Sequence, residues 1–223
     1  MSTVNRSIID DGLILYLDAA NSKSIISGSS TWTDISKNRN SSTLTNGPIY
    51  NSANNGSILF DGVDDYAACD QTTQMSNIFT ISAIIKLTSR NTSGTIVGSN
   101  ANGGDNVFRI IGDVLTCLFT ESSDVNNTIL TGTTILTYGI FYHVTVTVNI
   151  NTVTLYLNGV QDATTTVGFN IGSWTNQMGI GRRSTTRDQW YFNGNIATVQ
   201  IYNRSLSATE IQQNYQVLLP RFI

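Results

Sequence analysis

The most regular pattern in the chain lies at residues 79–87. Phe79, Ile81, Ala83, Ile85 and Leu87 alternate there with Thr80, Ser82, Ile84 and Lys86. A period of two places the first set on one face of a β-strand, while Ile84 keeps the other face partly apolar. Gly12 to Ala19 is a near-continuous apolar run, which predicts a strand covered on both faces or centrally placed. Gly139 to Val148 and Val153 to Leu157 predict a hairpin joined at residues 149–152. Asn158-Gly159 then turns the chain into Val160 to Val167, because Asn-Gly supplies the left-handed backbone that a two-residue hairpin turn needs. Val107 to Ile111 and Val114 to Thr120 pair around Gly112-Asp113. Shorter strands are predicted at residues 43–45, 49–50, 58–60, 65–68, 94–98, 126–130 and 178–181, with the last ones at Trp190 to Asn193 and Asn195 to Asn203. Ser99 to Asn106, rich in Asn and Gly, reads as a loop. One helix stands out, from Ser207 to about Leu218. Ser207 and Glu210 form a capping box, and Ile211, Tyr215 and Leu218 share a face. Pro220 blocks its continuation.

This succession of short strands, turns and a single helix predicts an all-β protein, an antiparallel two-sheet β-sandwich with one short C-terminal helix. The 223 residues suit one large β domain over residues 12–218, with a lead-in at 1–11 and a tail at 219–223. Charged residues make up only 12% of the chain, and the net charge is −3. That balance lacks the basic footprint of a general nucleic-acid binder. No run approaches the roughly 20 apolar residues of a membrane helix, and no secretory leader is visible at the N-terminus. Cys69 and Cys117 are too few for a disulfide scaffold. Cys117 lies in an alternating strand and reads as a free buried thiol.

Four stretches, in order, resemble one known family. The first is Gly56-Ser57-Ile58-Leu59-Phe60-Asp61-Gly62-Val63-Asp64-Asp65-Tyr66, followed by Phe79 to Leu87, Tyr142 to Val160 and Tyr191 to Tyr215. Together they look like a laminin-G-like domain of the concanavalin A-like lectin/glucanase superfamily, over nearly the whole chain. The resemblance implies a jelly roll in which the strands at Gly12–Ala19 and Asn195–Asn203 lie near each other. It also implies that residues 34–40 form an irregular Asp-x-Ser-x-x-x-Asn connection. The opening Gly12–Ser24, the ending Gly194–Gln216 and the tail Arg221-Phe222-Ile223 are similar to versions carried by tailed bacteriophages. That likeness implies a non-enzymatic virion structural, decoration or appendage protein. Its partners would be other virion proteins and further copies of itself, with the protein made in the host cytoplasm and located on the particle. The alternative is an extracellular lectin or adhesin that recognises host-surface polysaccharide.

The candidate chemistry is sparse. The lone histidine, His143, sits mid-strand and reads as structural. Glycoside hydrolysis needs two carboxyl groups at a set separation. The glucanases of this superfamily carry them as Glu-x-Asp-x-x-Glu on one strand, a string absent here. Glutamate occurs only at Glu121 and Glu210, so the expectation is no enzyme. No cofactor is called for beyond a structural Ca²⁺, for which Asp18, Asp61 and Asp64 are the candidate ligands. The competing reading is that Asp61 and Asp64 hydrogen-bond their own turn. In the resembling family an acid often stands in the last strand, where this chain has Ala197. Sugar binding would use aromatic faces with Asn, Asp and Arg at loop ends. The candidates are Trp32, Asn102, Asp105, Asn106, Trp174, Arg183 and Trp190, with the tryptophans read alternatively as closing the sandwich edge. The Arg182, Arg183 and Arg187 loop reads as a solvated tip or as a contact to an acidic partner.

Overall fold

The computed structural model describes residues 7–69, 76–90, 92–101, 104–121, 126–172, 174, 177–184 and 189–223. In chain order the strands are β1 (Leu13–Asp18), β2 (Thr31–Trp32), β3 (Ser42–Thr45), β4 (Ile49–Asn51), β5 (Ser57–Asp61) and β6 (Tyr66–Cys69). Then follow β7 (Ile78–Leu87), β8 (Gly94–Ala101), β9 (Gly104–Ile111), β10 (Val114–Thr120) and β11 (Asn127–Ile135). The last are β12 (Phe141–Asn149), β13 (Thr152–Leu157), β14 (Val160–Thr166), β15 (Gly179–Ile180) and β16 (Asn193–Tyr202), before helix α1 (Ala208–Leu218). They form two antiparallel sheets. One has the order β14-β13-β12-β7-β16-β5-β4 with β1 also on β16, and the other runs β11-β10-β9-β8-β15-β6-β3-β2. The all-β sandwich expected from the pattern is the architecture observed. No helix among the described residues is long and apolar enough to cross a membrane.

The period-two pattern of β7 is realised in the packing. Phe79, Ile81, Ala83, Ile85 and Leu87 are all in the core between the sheets. Ile84 faces the other way, into a second cluster with Phe141, Ala197, Leu218, Leu219 and Phe222 beneath α1. A third cluster of Tyr156, Tyr202, Leu206 and Ile211 lies under the start of the helix. The expected neighbours β1 and β16 pair directly, from Leu13 opposite Tyr202 to Asp18 opposite Thr198. The capping box is present: Ser207 Oγ accepts the Glu210 amide, and the Glu210 carboxylate accepts the Ser207 amide. Arg204 donates to both Glu210 oxygens and holds that carboxyl down to about 2. The Asp-x-Ser-x-x-x-Asn connection also has a physical reason. Buried Asp34 accepts from the Tyr16 amide, the Ser36 amide and hydroxyl, and the Asn40 amide, all at 2.7–2.8 Å. Both cysteines are free and buried, and burial pushes the Cys117 thiol up to about 12.

Three expectations are corrected. Within the stretch expected as a loop at 99–106, residues 99–101 and 104–106 belong to β8 and β9, with Ser99 opposite Asn106 and Ala101 opposite Gly104, and residues 102–103 lie outside the described residues. Polar side chains do not prevent pairing once both backbones are extended and adjacent. The strand expected at 126–130 runs from Asn127 to Ile135. It is held to β14 by Asp162, which accepts from the Thr133 amide and from the hydroxyls of Thr133 and Thr134. No strand includes Trp190, whose φ of 59° is left-handed, so the last strand is the single β16.

His143 is fully buried on the face of the first sheet that α1 covers. Its Nε2 shares a hydrogen bond of 2.8 Å with Ser82 Oγ, and its Nδ1 has no partner. Burial lowers its pKa from 6.5 to about 3. An unfolded chain therefore binds this proton below pH 6.5 while the folded one does not, and stability falls as pH drops from there towards 3. The expected loss between pH 7.5 and pH 5 is roughly 2 kcal/mol from this group. Urea titrations of the wild type and of His143→Gln at both pH values check it. The acid-induced drop should be smaller in the variant by that amount.

Candidate functional site

Between β15 and β16, residues 181–184 and 189–192 are described, and both stretches touch β8. The Gly181 amide donates to Ile96 (3.1 Å), and the Thr95 amide donates to the Trp190 carbonyl (2.9 Å). A Cβ at Gly98 would lie 2.1 Å from the Arg183 carbonyl oxygen, so only glycine lets the segment approach there. Gly181 has φ +84° and would set a Cβ 2.7 Å from the Phe60 ring. The Arg183 amide donates to the Gln189 carbonyl and closes the base of the excursion.

This placement stacks arginines on aromatic rings. The guanidinium carbons of Arg109 and Arg183 lie over the Trp190 ring at 4.4 and 4.0 Å from its centroid, and that of Arg182 lies 4.0 Å over Tyr66. Such cation–π contacts strengthen where water is excluded. Arg183 forms an ion pair with Asp105 and donates to Gln189 Oε1 at 2.8 Å. Burial, then the charge of Arg183, lowers the pKa of Arg109.

Of the sequence-derived candidates, Asp105, Arg183 and Trp190 therefore meet. Asn106 is adjacent in chain but buried and structural: Nδ2 donates to the Gly172 carbonyl and Oδ1 accepts the Thr120 amide. Trp32 and Trp174 are fully buried in the core, Trp174 edge-on to Phe79 at 5.8 Å, and offer no face to a ligand. Asn102 and Arg187 lie outside the described residues. The sequence missed Arg109 because it sits in an apolar strand with no loop signal.

Beside Trp190 is a cleft of about 260 Å³, lined by Gly62, Arg90, Thr92, Ser93, Tyr191 and Asn193 with Trp190 itself. Thr88 Oγ1 donates to Asn193 Oδ1 at 2.5 Å and steadies one wall. Ser93 Oγ and Tyr191 Oη are buried with no hydrogen-bond partner among the described residues. Arg90 is exposed and makes no ion pair among the described residues. A second groove, of about 360 Å³, lies between residues 27–30 and 47–50 and has no charged group in its lining.

The acidic turn at Gly62 borders the cleft. Asp61 Oδ1 accepts the amides of Val63, Asp64 and Asp65, as expected of an Asx-type turn, and Asp65 Oδ2 accepts the Asp61 amide. Burial pushes Asp61 up, but these amides outweigh it and hold the carboxyl low. Asp61, Asp64 and Asp65 each bring a carboxylate oxygen within 4.8 Å of the others, a spacing that a cation could bridge. Asp18 is not with them. It pairs with Thr198 of β16 while Asp61 pairs with Asn193, roughly 16 Å further along the strand. Both oxygens of Asp18 are bonded to Arg221, at 2.9 and 3.0 Å. Ala197, standing where the resembling family often has an acid, is fully buried against Leu218 and Phe222.

The fold and this rim define a lectin-like jelly-roll domain. The chain belongs to the concanavalin A-like lectin/glucanases superfamily, whose Laminin_G_3 model matches residues 61–212. A sequence search of curated proteins found no match. Among solved structures the chain is similar to domain 4 of AbnA, an extracellular arabinanase from Geobacillus stearothermophilus solved with arabinotriose. The TM-score is 0.69 at 16% identity, over 93% of this chain and 100% of that one. It is also similar to the binding domain of botulinum neurotoxin serotype D, with a TM-score of 0.72 at 15% identity over 94% of this chain and 53% of that one. The binding domain of Paraclostridial Mosquitocidal Protein 1 gives 0.70 at 16%, over 92% and 52%. The chain thus spans about half the length of these two binding domains. At such identities the likeness is one of fold.

Buried Asp65 carries a testable electrostatic load. Burial, then the charges of Asp61 and Asp64, raises its carboxyl from 3.8 to about 6. The folded state therefore holds this proton more tightly than the unfolded state. Above pH 6 the charged form destabilises the fold, and the penalty disappears below pH 4. Asp65→Asn should raise the melting temperature at pH 7.5 and leave it nearly unchanged at pH 3.5. Thermal melts at the two pH values without divalent cations check this.

Proposed function

We propose that the chain is a recognition domain that binds saccharide without catalysis, in the cleft beside Trp190. The observation that carries this reading is the pair of hydroxyls, Ser93 Oγ and Tyr191 Oη, held in the cleft wall with no partner among the described residues. An unpaired buried hydroxyl costs about 1–3 kcal/mol. Small rotations of both side chains let a ligand rich in hydroxyls relieve that cost. Tyr191 adds aromatic surface of the kind that packs on sugar rings, while the Trp190 ring is covered by Arg109 and Arg183. The fold supports the class of reading, since it is one that hosts lectins. The arabinotriose in the AbnA domain belongs to that protein and is not carried over here.

Within this reading the chain serves on a virion, as an appendage or decoration module exposing the cleft to host-surface polysaccharide. What supports this is the likeness of Gly12–Ser24 and Gly194–Gln216 to tailed-phage versions. Those residues build β1, β16 and α1, the structural side of the domain, and leave the rim loops free to vary. Further copies of the chain and other virion proteins would be its partners there.

A glycan array followed by calorimetry tests the saccharide reading. Tyr191→Phe and Ser93→Ala should each weaken the glycan found by about five- to tenfold, the size of one hydrogen bond, while the melting temperature of the unliganded protein rises, because each substitution removes an unpaired buried hydroxyl. Binding that both variants retain in full would move the site elsewhere.

A further inference from the structure

We propose that the saccharide taken by this cleft is acidic, and that Arg90 anchors its carboxylate. The inference rests on the reading of the cleft as a glycan site and adds the ligand class. Of the residues lining the cleft, one is charged, and it is Arg90. Its guanidinium is solvent-exposed and has no carboxylate partner among the described residues, so its fork of donors is available.

Charges of both signs stand around the cleft. Arg109, Arg182 and Arg183 converge on the same rim, two of them over Trp190, whose ring also lines the cleft. Against them stands Asp105, which is bound to Arg183. The turn at Gly62 also brings the charges of Asp61, Asp64 and Asp65 to one border of the cleft, so the carboxylate is placed at Arg90, the one charged group in the lining itself. A planar carboxylate matches the arginine fork in a bidentate way, which a neutral hydroxymethyl group cannot do. The hydroxyls of Ser93 and Tyr191 then serve the rest of the sugar ring or the second lone pairs of the carboxylate.

The test uses envelope polysaccharides that contain uronic or sialic acid, each in native and carboxyl-reduced form, with the full chain. Native ligand should bind at least about tenfold more tightly than its reduced counterpart, and 0.5 M salt should erode the difference, as expected for a charge-assisted contact. Arg90→Gln should bring the two forms within about twofold of each other, and Arg90→Lys should restore part of the preference. Arg90 is exposed, so both variants fold. Equal binding of native and reduced forms by the wild type overturns the acidic ligand and leaves the saccharide reading standing. Binding of neither form of any polysaccharide overturns both.

Discussion

Strand β16 is the element on which the rest of the structure depends. It pairs along one edge with β7 and along the other with β5 and then β1. Nine of its ten residues are buried, because the second sheet covers one face and α1 with the C-terminal tail covers the other. A strand enclosed on all sides must satisfy its backbone through its neighbours, so the registers of β1, β5 and β7 are set against it together. The same enclosure explains Ala197. A carboxylate at that position would lie beneath Leu218 and Phe222, where an unpaired charge is costly.

Polar anchors then hold the irregular parts. Asp34 gathers four donors and shapes the connection between β2 and β3. Arg221 clamps the tail to Asp18, and Arg204 ties Glu210 to the loop before the helix. These ions are compensated by more than one hydrogen bond each, the condition under which buried carboxylates are tolerated. His143 differs: its ring sits neutral in the interface under the helix with one nitrogen unpartnered, so acid works against the packing of the whole layer.

The rim obeys other constraints. Glycine at 98 lets the backbone at Arg182 and Arg183 approach β8, and glycine at 181 lets the chain pass the Phe60 ring. Trp190, in a left-handed conformation that bulky residues rarely adopt, is held there by its carbonyl bond to Thr95 and by stacked arginines. Rigid loops with unpaired polar groups on a packed scaffold are where recognition is commonly placed. The core of the sandwich, by contrast, contains no charged pair and no accessible nucleophile among the described residues.

Periodicity alone determined the sandwich class, the two-faced β7, the hairpin turns at Gly112-Asp113 and Asn158-Gly159, and the capped helix, because each is encoded by neighbours in the chain. The Asx-type turn at Asp61 was legible for the same reason. The candidate site was legible only in part. Asp105, Arg183 and Trp190 could be named as polar or aromatic residues near turns. That they meet one another, and that Arg109, Ser93 and Tyr191 join them, depends on which strands lie side by side. Trp32 and Trp174 looked equivalent to Trp190 in sequence, yet two are core and one is rim, since local composition does not say which end of a strand faces solvent. Asp18 likewise shares its residue type with Asp61 but is bound to an arginine 203 positions away. Short-range chemistry is written along the chain, whereas contacts between distant segments are decided by sheet pairing and burial, which only the tertiary structure sets.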